Sequence, residues 1–442
     1  MPNLHVIVGL GATAVSCARY LTERNIPIAL ADTRQDPPRL AEFQQSYPNA
    51  ALSLGKLDDA LLDQADTIVI SPGLSVQEPA IQRQIKRGIP VIGDIELFAK
   101  AANAPVIAIT GTNAKSTVTT LVGKMAETAG LHTQVGGNLG IPALDLLTTP
   151  APELYVLELS SFQLETTYSL TPRVATILNV TPDHMDRYAS VEDYRLAKQR
   201  VYLNCDVAVC NRDDAATDYL NSSVQKLQFT LQTPRQNEFG LLNKNGKMYL
   251  AFEDQALMPI QDLPILGRHY QANALAALAL GYGFGLPMDA MLKTLTEFKG
   301  LSHRCQLVRE RNGIAWYNDS KGTNVGATLA AIDGLGPEIE GKLILIAGGV
   351  GKNADFSLLA PSVAQHVKTT ILIGEAAQIL AQVLGDSAPV QFADSMEEAV
   401  SLADQSALPG DSVLLSPACA SFDMFKNFEH RGDVFVQVVN KL

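Results

Sequence analysis

The sequence predicts an α/β protein of three domains: a Rossmann-like N-terminal unit, a central P-loop-type unit with a parallel sheet, and a Rossmann-like C-terminal unit. Three observations carry this. Short β-branched runs alternate with helical patterns along most of the chain, the pattern of parallel sheets with crossover helices. Two loops, Gly9–Ala14 and Thr110–Thr117, each follow a strand-like run and open a helical one. The 442 residues fit three units at roughly 100–200 residues each.

The domains are expected at residues 1–93, 94–300 and 301–442. In the first, strands read at His5–Val8, Pro27–Ala31, Thr67–Ile70 and Pro90–Ile92. In the second they read at Pro105–Thr110, Leu154–Leu159, Val174–Val180 and Asp206–Cys210, before an alanine-rich helix at Tyr270–Leu280. Residues 225–265 are polar and turn-rich and read as a small antiparallel insertion. The third unit carries strands at Ile314–Asn318, Leu343–Ala347, Thr370–Ile373 and Ser412–Leu415.

A hydrophobic content of 47% with 18% charged residues is that of a folded globular chain. The formal net charge of −12 argues against electrostatic binding of nucleic acid, while leaving room for local phosphate pockets. No apolar run reaches bilayer length, and the strand-like start leaves no room for a signal peptide. Five cysteines (Cys17, Cys205, Cys210, Cys305 and Cys419) are scattered without zinc-site spacing. A cytoplasmic protein with no membrane partner is expected.

The first loop, Gly9-Leu-Gly11-Ala-Thr-Ala14, precedes a helix carrying Val15, Ala18 and Leu21 on one face. Its glycines permit close backbone approach, and the helix N-terminus can hold a diphosphate. Asp32 lies 21 positions beyond Gly11, where a dinucleotide fold places its ribose-reading acid. The loop does not say which nucleotide binds, and an unliganded strand-to-helix turn has the same pattern.

The second loop, Thr110-Gly-Thr-Asn-Ala-Lys115-Ser116-Thr117, could cradle phosphates on backbone amides, with Lys115 toward the β/γ region and the Ser116 hydroxyl on Mg²⁺. Ala114 and Ile109 stand where the generic phosphate loop has glycine, so the pattern alone does not separate it from an ordinary helix start. The next elements add weight. Glu158 interrupts an apolar strand near its end, and His184 follows the strand after it. In a parallel sheet both belong beside Lys115, at the carboxyl edge where ligands bind. Singly, Glu158 reads better as a hydrogen-bonded buried acid and His184 as a satisfied loop histidine; their coincidence beside a phosphate loop favours an ATP–Mg²⁺ site. Lys198 shares a helical stripe with Val191, Tyr194 and Val201. Periodicity alone favours a packed stem with its amine in water; the other reading is a desolvated, neutral amine.

Taken together, the stretches Gly111–Thr117, Leu157–Glu165, Asp183–Tyr188, Asn318–Val325 and Leu415–Ser421, with Lys426–Phe428, resemble the Mur ligase family over essentially the whole chain. Within it they are most similar to the branch that adds D-glutamate to UDP-N-acetylmuramoyl-L-alanine in peptidoglycan synthesis. The resemblance implies ATP as co-substrate and two Mg²⁺ ions, with Ser116, Glu158, His184 and a carbamylated Lys198 as metal-handling residues. It implies catalytic roles for Lys115, His184 and Lys198. It implies ATP contacts at Gly111, Thr112, Asn113, Ala114, Lys115, Ser116, Thr117, Asn273, Arg304, Asp319 and Lys321. The UDP-sugar is expected at Gly11, Ala12, Thr13, Asp32, Thr33, Arg34, Gly73, Asn138 and Ser160, and D-glutamate at Thr323, Lys352, Ser421 and Phe428. A monomer and closure of the third domain on the second are expected.

Three residues depart from the family pattern: Ala114 in place of glycine, Val350 in place of aspartate, and Tyr270 in place of asparagine. At Ala114 a positive φ would cost roughly 1–2 kcal/mol. The rival readings are an NAD-dependent oxidoreductase, favoured by the first loop and Asp32, a non-catalytic nucleotide sensor, and a sister ligase with another amino acid. The oxidoreductase leaves the second loop and the Glu158–His184–Lys198 set without a role.

Overall fold

The computed structural model describes residues 3–442 apart from Leu266 and Asn353. Among the described residues the strands form three sheets, all largely parallel. The first runs in spatial order Ala51–Leu54, Ile28–Asp32, His5–Val8, Thr67–Ile70, Val91–Ile92, and every pairing in it is parallel. Its first strand passes into the helix Ala12–Thr22 through Gly9, whose φ of +89° and tight fit against Leu74 leave no room for a side chain.

The central sheet has nine strands. Val106–Thr110 lies between Leu154–Glu158 and Val174–Ile177, with Thr133–Gly137 at one edge. On the other side Val207–Asn211, Gln225–Phe229 and Glu238–Lys244 continue the parallel order. Lys247–Phe252 and Gln255–Pro259 then complete the sheet as antiparallel strands. Residues 225–265 are therefore an extension of the main sheet, not a separate insertion. The reason is burial: Leu227, Phe229, Phe239, Leu241 and Leu250 pack in one core with the alanine-rich helix Arg268–Phe284. That helix is longer than its alanine-rich centre and stops at Gly285, whose φ is +100°.

The C-terminal sheet runs Gln306–Arg311, Ile314–Asn318, Ser412–Leu415, Leu343–Gly348, Val367–Ile373, Val390–Phe392. Its first strand is antiparallel and the others are parallel. The edge strands Ala51–Leu54 and Thr133–Gly137 carry few β-branched residues and are held by pairing, which is why their sequence does not announce them.

Side-chain cores divide the chain differently from the sheets. One core joins Ile7, Val15 and Leu21 of the N-terminal unit to Phe98, Tyr155 and Leu157 of the central one. The C-terminal sheet is covered on its two faces by cores of its own. No described helix is long and apolar enough to cross a membrane.

Candidate active site

The second glycine loop sits at the carboxyl end of Val106–Thr110. Gly111 has φ +152°, and a Cβ there would lie 3.0 Å from the Cβ of Leu178. Asn179 fixes the loop, its carbonyl accepting from Thr112 N and its Oδ1 from Asn113 N at 2.9 and 2.8 Å. Ala114 adopts φ +67°, ψ −4°, the left-handed conformation. The helix Lys115–Thr128 starts there without a side-chain cap, so its first-turn amides remain available to an anion.

Two lysines converge on one carbonyl. Lys115 Nζ donates to Gly111 O and Thr112 O, both at 2.9 Å, and Lys198 Nζ donates to Gly111 O at 2.8 Å. Lys198 is 1% exposed, with its Nζ 4.4 Å from the Tyr194 ring centroid. Burial and then the neighbouring Lys115 charge hold its pKa well below the ordinary lysine value, against the opposing pull of Asp183 and Glu158. Its amine is thus desolvated and not snorkelling, although Val191 at the start of the stripe is exposed. Burial also lowers the Lys115 pKa.

Glu158 ends its strand almost fully buried. Oε1 accepts from Asn138 Nδ2 at 2.6 Å, while Oε2 is buried without a partner. A buried carboxylate oxygen without a protein partner, beside cationic neighbours, has the chemistry to ligate a divalent cation. His184 adopts φ +58°, and its ring stands edge-on to Phe162 at 4.9 Å. Burial lowers its pKa, keeping available the neutral imidazole that a metal takes. Among the described residues no three His, Cys, Asp or Glu side chains form a ready-made metal cluster.

These groups line a cavity of about 540 Å³ that also receives Thr112, Asn113, Ser116, Thr117 and Ser160 from the central domain. Asn273, on the central helix Arg268–Phe284, also lines it, and Arg304, Asp319, Lys321, Thr323 and Lys352 line it from the C-terminal domain. Contact between the halves is direct: Arg304 Nη2 donates to Ser116 Oγ at 2.6 Å, and Asn324 Nδ2 donates to Asp183 Oδ2 at 3.0 Å and Asn113 Oδ1 at 3.2 Å. The Ser116 hydroxyl therefore meets an arginine in this arrangement. Burial raises the Asp319 carboxyl to about 7 and lowers Lys321 to about 8.

A second cavity, about 580 Å³, lies at the end of the N-terminal sheet and is lined by Gly11, Ala12, Thr13, Asp32, Thr33, Arg34 and Gly73. Asn138 lines both cavities. Asp32 is committed within the protein: Oδ2 accepts from Leu10 N and Arg34 Nη2, both at 2.7 Å, and Oδ1 accepts from Arg34 Nε at 2.9 Å. It shapes the loop and orients Arg34.

Family models for the Mur ligase MurD-like N-terminal domain, the Mur ligase middle domain and the Mur ligase glutamate ligase domain match residues 3–93, 109–281 and 303–419. The chain belongs to the Mur ligase family. It is 53% identical to the UDP-N-acetylmuramoylalanine--D-glutamate ligase of Pseudomonas savastanoi pv. phaseolicola, over 100% of this chain and 98% of that one. It is 51% identical to the protein of that name from Coxiella burnetii, over 100% and 99%. Among solved structures it shares the fold of a pseudomurein peptide ligase type C from Methanothermus fervidus, with TM-score 0.62 and 18% identity over 99% of both chains. It also shares that of the UDP-N-acetylmuramate-alanine ligase MurC from Thermotoga maritima, with TM-score 0.60 and 17% identity over 99% of both.

Of the residues expected from the Mur ligase resemblance, three lie away from the cavity walls. Gly111 is behind the loop, with its carbonyl taken by the two lysines. Ser421 is 2% exposed, and Phe428 lies under Lys321, whose Nζ is 3.8 Å from the ring centroid. Tyr270 lines the cavity, and nothing in the structure explains valine at position 350. Tyr270 is buried parallel to Phe298, at 6.4 Å and 5°, and Val350 pairs its backbone with Ala420 at 2.9 and 3.0 Å. Asn179, Asp183 and Asn324 are not singled out by the residues alone. Asp183 and Asn324 fall inside stretches that carry the resemblance, which is the signal the sequence offers for them.

Proposed function

We propose that the two cavities hold the two ends of one acyl-transfer reaction, joined at Asn138. The chain is an ATP-dependent ligase of peptidoglycan synthesis that adds D-glutamate to UDP-N-acetylmuramoyl-L-alanine, the activity for which its relatives at 51–53% identity are named. The observation that carries the assignment of roles is Asn138, which faces the N-terminal cavity while its amide holds Glu158 beside the phosphate loop. A substrate with its uridine diphosphate against Gly11–Thr13, Arg34 and Gly73 would place its far carboxylate at that junction.

A carboxylate is a poor acyl donor because oxide leaves badly. Transfer of the ATP γ-phosphoryl onto the L-alanine carboxylate, with ADP leaving, converts it to an acyl phosphate. Lys115 and the first-turn amides of its helix hold the phosphates and neutralise charge during transfer. Glu158, His184 and Lys198 would hold Mg²⁺, Lys198 after its neutral amine adds CO₂ and releases a proton to become an anionic carbamate. Bound there, the metal would neutralise phosphate charge. The D-glutamate amine then attacks the acyl carbon, the tetrahedral intermediate expels phosphate, and the amide forms with loss of a proton. Lys352 and Thr323, on the C-terminal side of the cavity, hold the amino acid, with Ser421 and Phe428 supporting from behind. Arg304, Asp319, Lys321 and Asn273 contact ATP.

The test is phosphate release from ATP and Mg²⁺ with UDP-N-acetylmuramoyl-L-alanine and bicarbonate, comparing D-glutamate, L-glutamate, L-alanine and no amino acid. Release with D-glutamate alone is expected. No release, or release with L-alanine, would overturn the assignment.

A further inference from the structure

Arg431 lies on the helix Phe428–Val439 and is fully buried. Its hydrogen bonds go to a hydroxyl and two carbonyls rather than to a carboxylate: Nε to Ser320 Oγ at 3.0 Å, Nη2 to Ser320 O at 2.8 Å, and Nη1 to Cys419 O at 3.1 Å. A buried cation without an anionic partner is expensive, so its place in the fold calls for a compensating role. The two anchored segments supply one. Ser320 stands between Asp319 and Lys321, both on the cavity wall, and Cys419 stands two residues before Ser421.

The same guanidinium thus ties together two loops from different strand ends. Asp319 follows Ile314–Asn318 and Cys419 follows Ser412–Leu415. Further bonds complete the tie: Ser320 Oγ donates to Phe428 O at 2.8 Å, and Asn318 Nδ2 donates to Gly432 O at 3.2 Å. An arginine fork suits this, because its planar donors reach both loops in one fixed geometry, whereas a lysine offers a single point charge.

We propose that Arg431 is a positioning residue that sets the spacing between the Asp319–Lys321 segment and the Cys419–Ser421 loop. In doing so it shapes the C-terminal half of the site for ATP and the incoming amino acid dianion. This rests on the ligase reading for the identity of the ligands. The N-terminal cavity shares none of these residues, so the effect is confined to two of the three substrates.

The experiment measures KM for D-glutamate, ATP and the UDP-linked substrate in wild type, Arg431→Lys and Ser320→Ala. The serine variant removes one anchor and keeps the protein assayable where the arginine change impairs folding. In Arg431→Lys, KM for D-glutamate and ATP should rise about tenfold or more, as loss of hydrogen bonds from a charged donor implies. Ser320→Ala should shift the same two constants in the same direction by less, with the UDP-substrate KM unchanged in both. Equal rises in all three constants, or a fall in kcat alone that tracks the folded fraction, would overturn the proposal. Calorimetric ATP binding to the same proteins separates the two claims. A wild type that binds ATP without turnover would sink the ligase reading, while weaker ATP binding by Arg431→Lys would still uphold the positioning role and equal binding would overturn it.

Discussion

Replacing Asn324 separates two jobs that one side chain performs. Its Oδ1 caps the helix Val325–Leu335 by accepting from Ala327 N at 2.8 Å, while its Nδ2 bridges to Asn113 and Asp183 of the central domain. Serine is an equivalent N-cap but too short to bridge. Asn324→Ser should therefore leave the helix intact and weaken the closed arrangement. The bond to the Asp183 carboxylate is worth about 1.5–3 kcal/mol and the one to Asn113 about 0.5–1.5 kcal/mol. Water reaching the freed groups on opening offsets part of this, leaving about 1.5–2 kcal/mol, or a shift of roughly 10–30-fold in the open-to-closed ratio. Small-angle scattering with a non-hydrolysable ATP analogue should show a larger mean radius for the variant, and KM for ATP should rise about tenfold. Asn324→Ala loses the cap as well and should be less stable than Asn324→Ser by about 1 kcal/mol. Wild-type scattering and KM in Asn324→Ser would refute the bridging role, and equal melting temperatures for the two variants would refute the cap.

Two other predictions follow from local conformation and burial. Ala114→Gly relieves about 1–2 kcal/mol of left-handed strain and loses about 0.4–1 kcal/mol to the freer unfolded chain. The variant should melt slightly higher than wild type, and a lower melting temperature would show that the loop holds alanine without strain. Burial pushes the His269 imidazole down to about 4, so between pH 6.5 and 4 the unfolded chain binds a proton that the folded one refuses. Stability is undiminished by this group above pH 6.5 and is lost as pH falls toward 4, by up to about 3 kcal/mol. His269→Phe should remove that slope in denaturant titrations across the window; parallel curves for the two proteins would rule it out.

Much of the site was legible because strand ends in a parallel sheet gather at one edge. Glu158, His184 and Lys115 needed only their places after three strands to be put together. Lys198 was undecided: its helical stripe is the same whether the amine reaches water or not. Only its burial and the tertiary contact with the Gly111 carbonyl settle it. Asp32 fits the spacing of a ribose-reading acid, yet its oxygens are taken by Leu10 and Arg34, a competition that spacing does not express. Arg431 was invisible because arginine on a helix ordinarily reads as solvent-facing. The edge strands were missed since their order comes from neighbours and not from β-propensity.

The core shared by Ile7, Val15, Phe98 and Tyr155 bears on cooperativity. Two sheets that bury side chains in one another cannot melt separately without exposing that common interior, whereas the C-terminal sheet keeps both of its cores to itself. Heat absorption should therefore resolve into two cooperative transitions for three architectural units, with the thermodynamic boundary near residue 300 and none near residue 93. Folding treats the N-terminal and central domains as a single object.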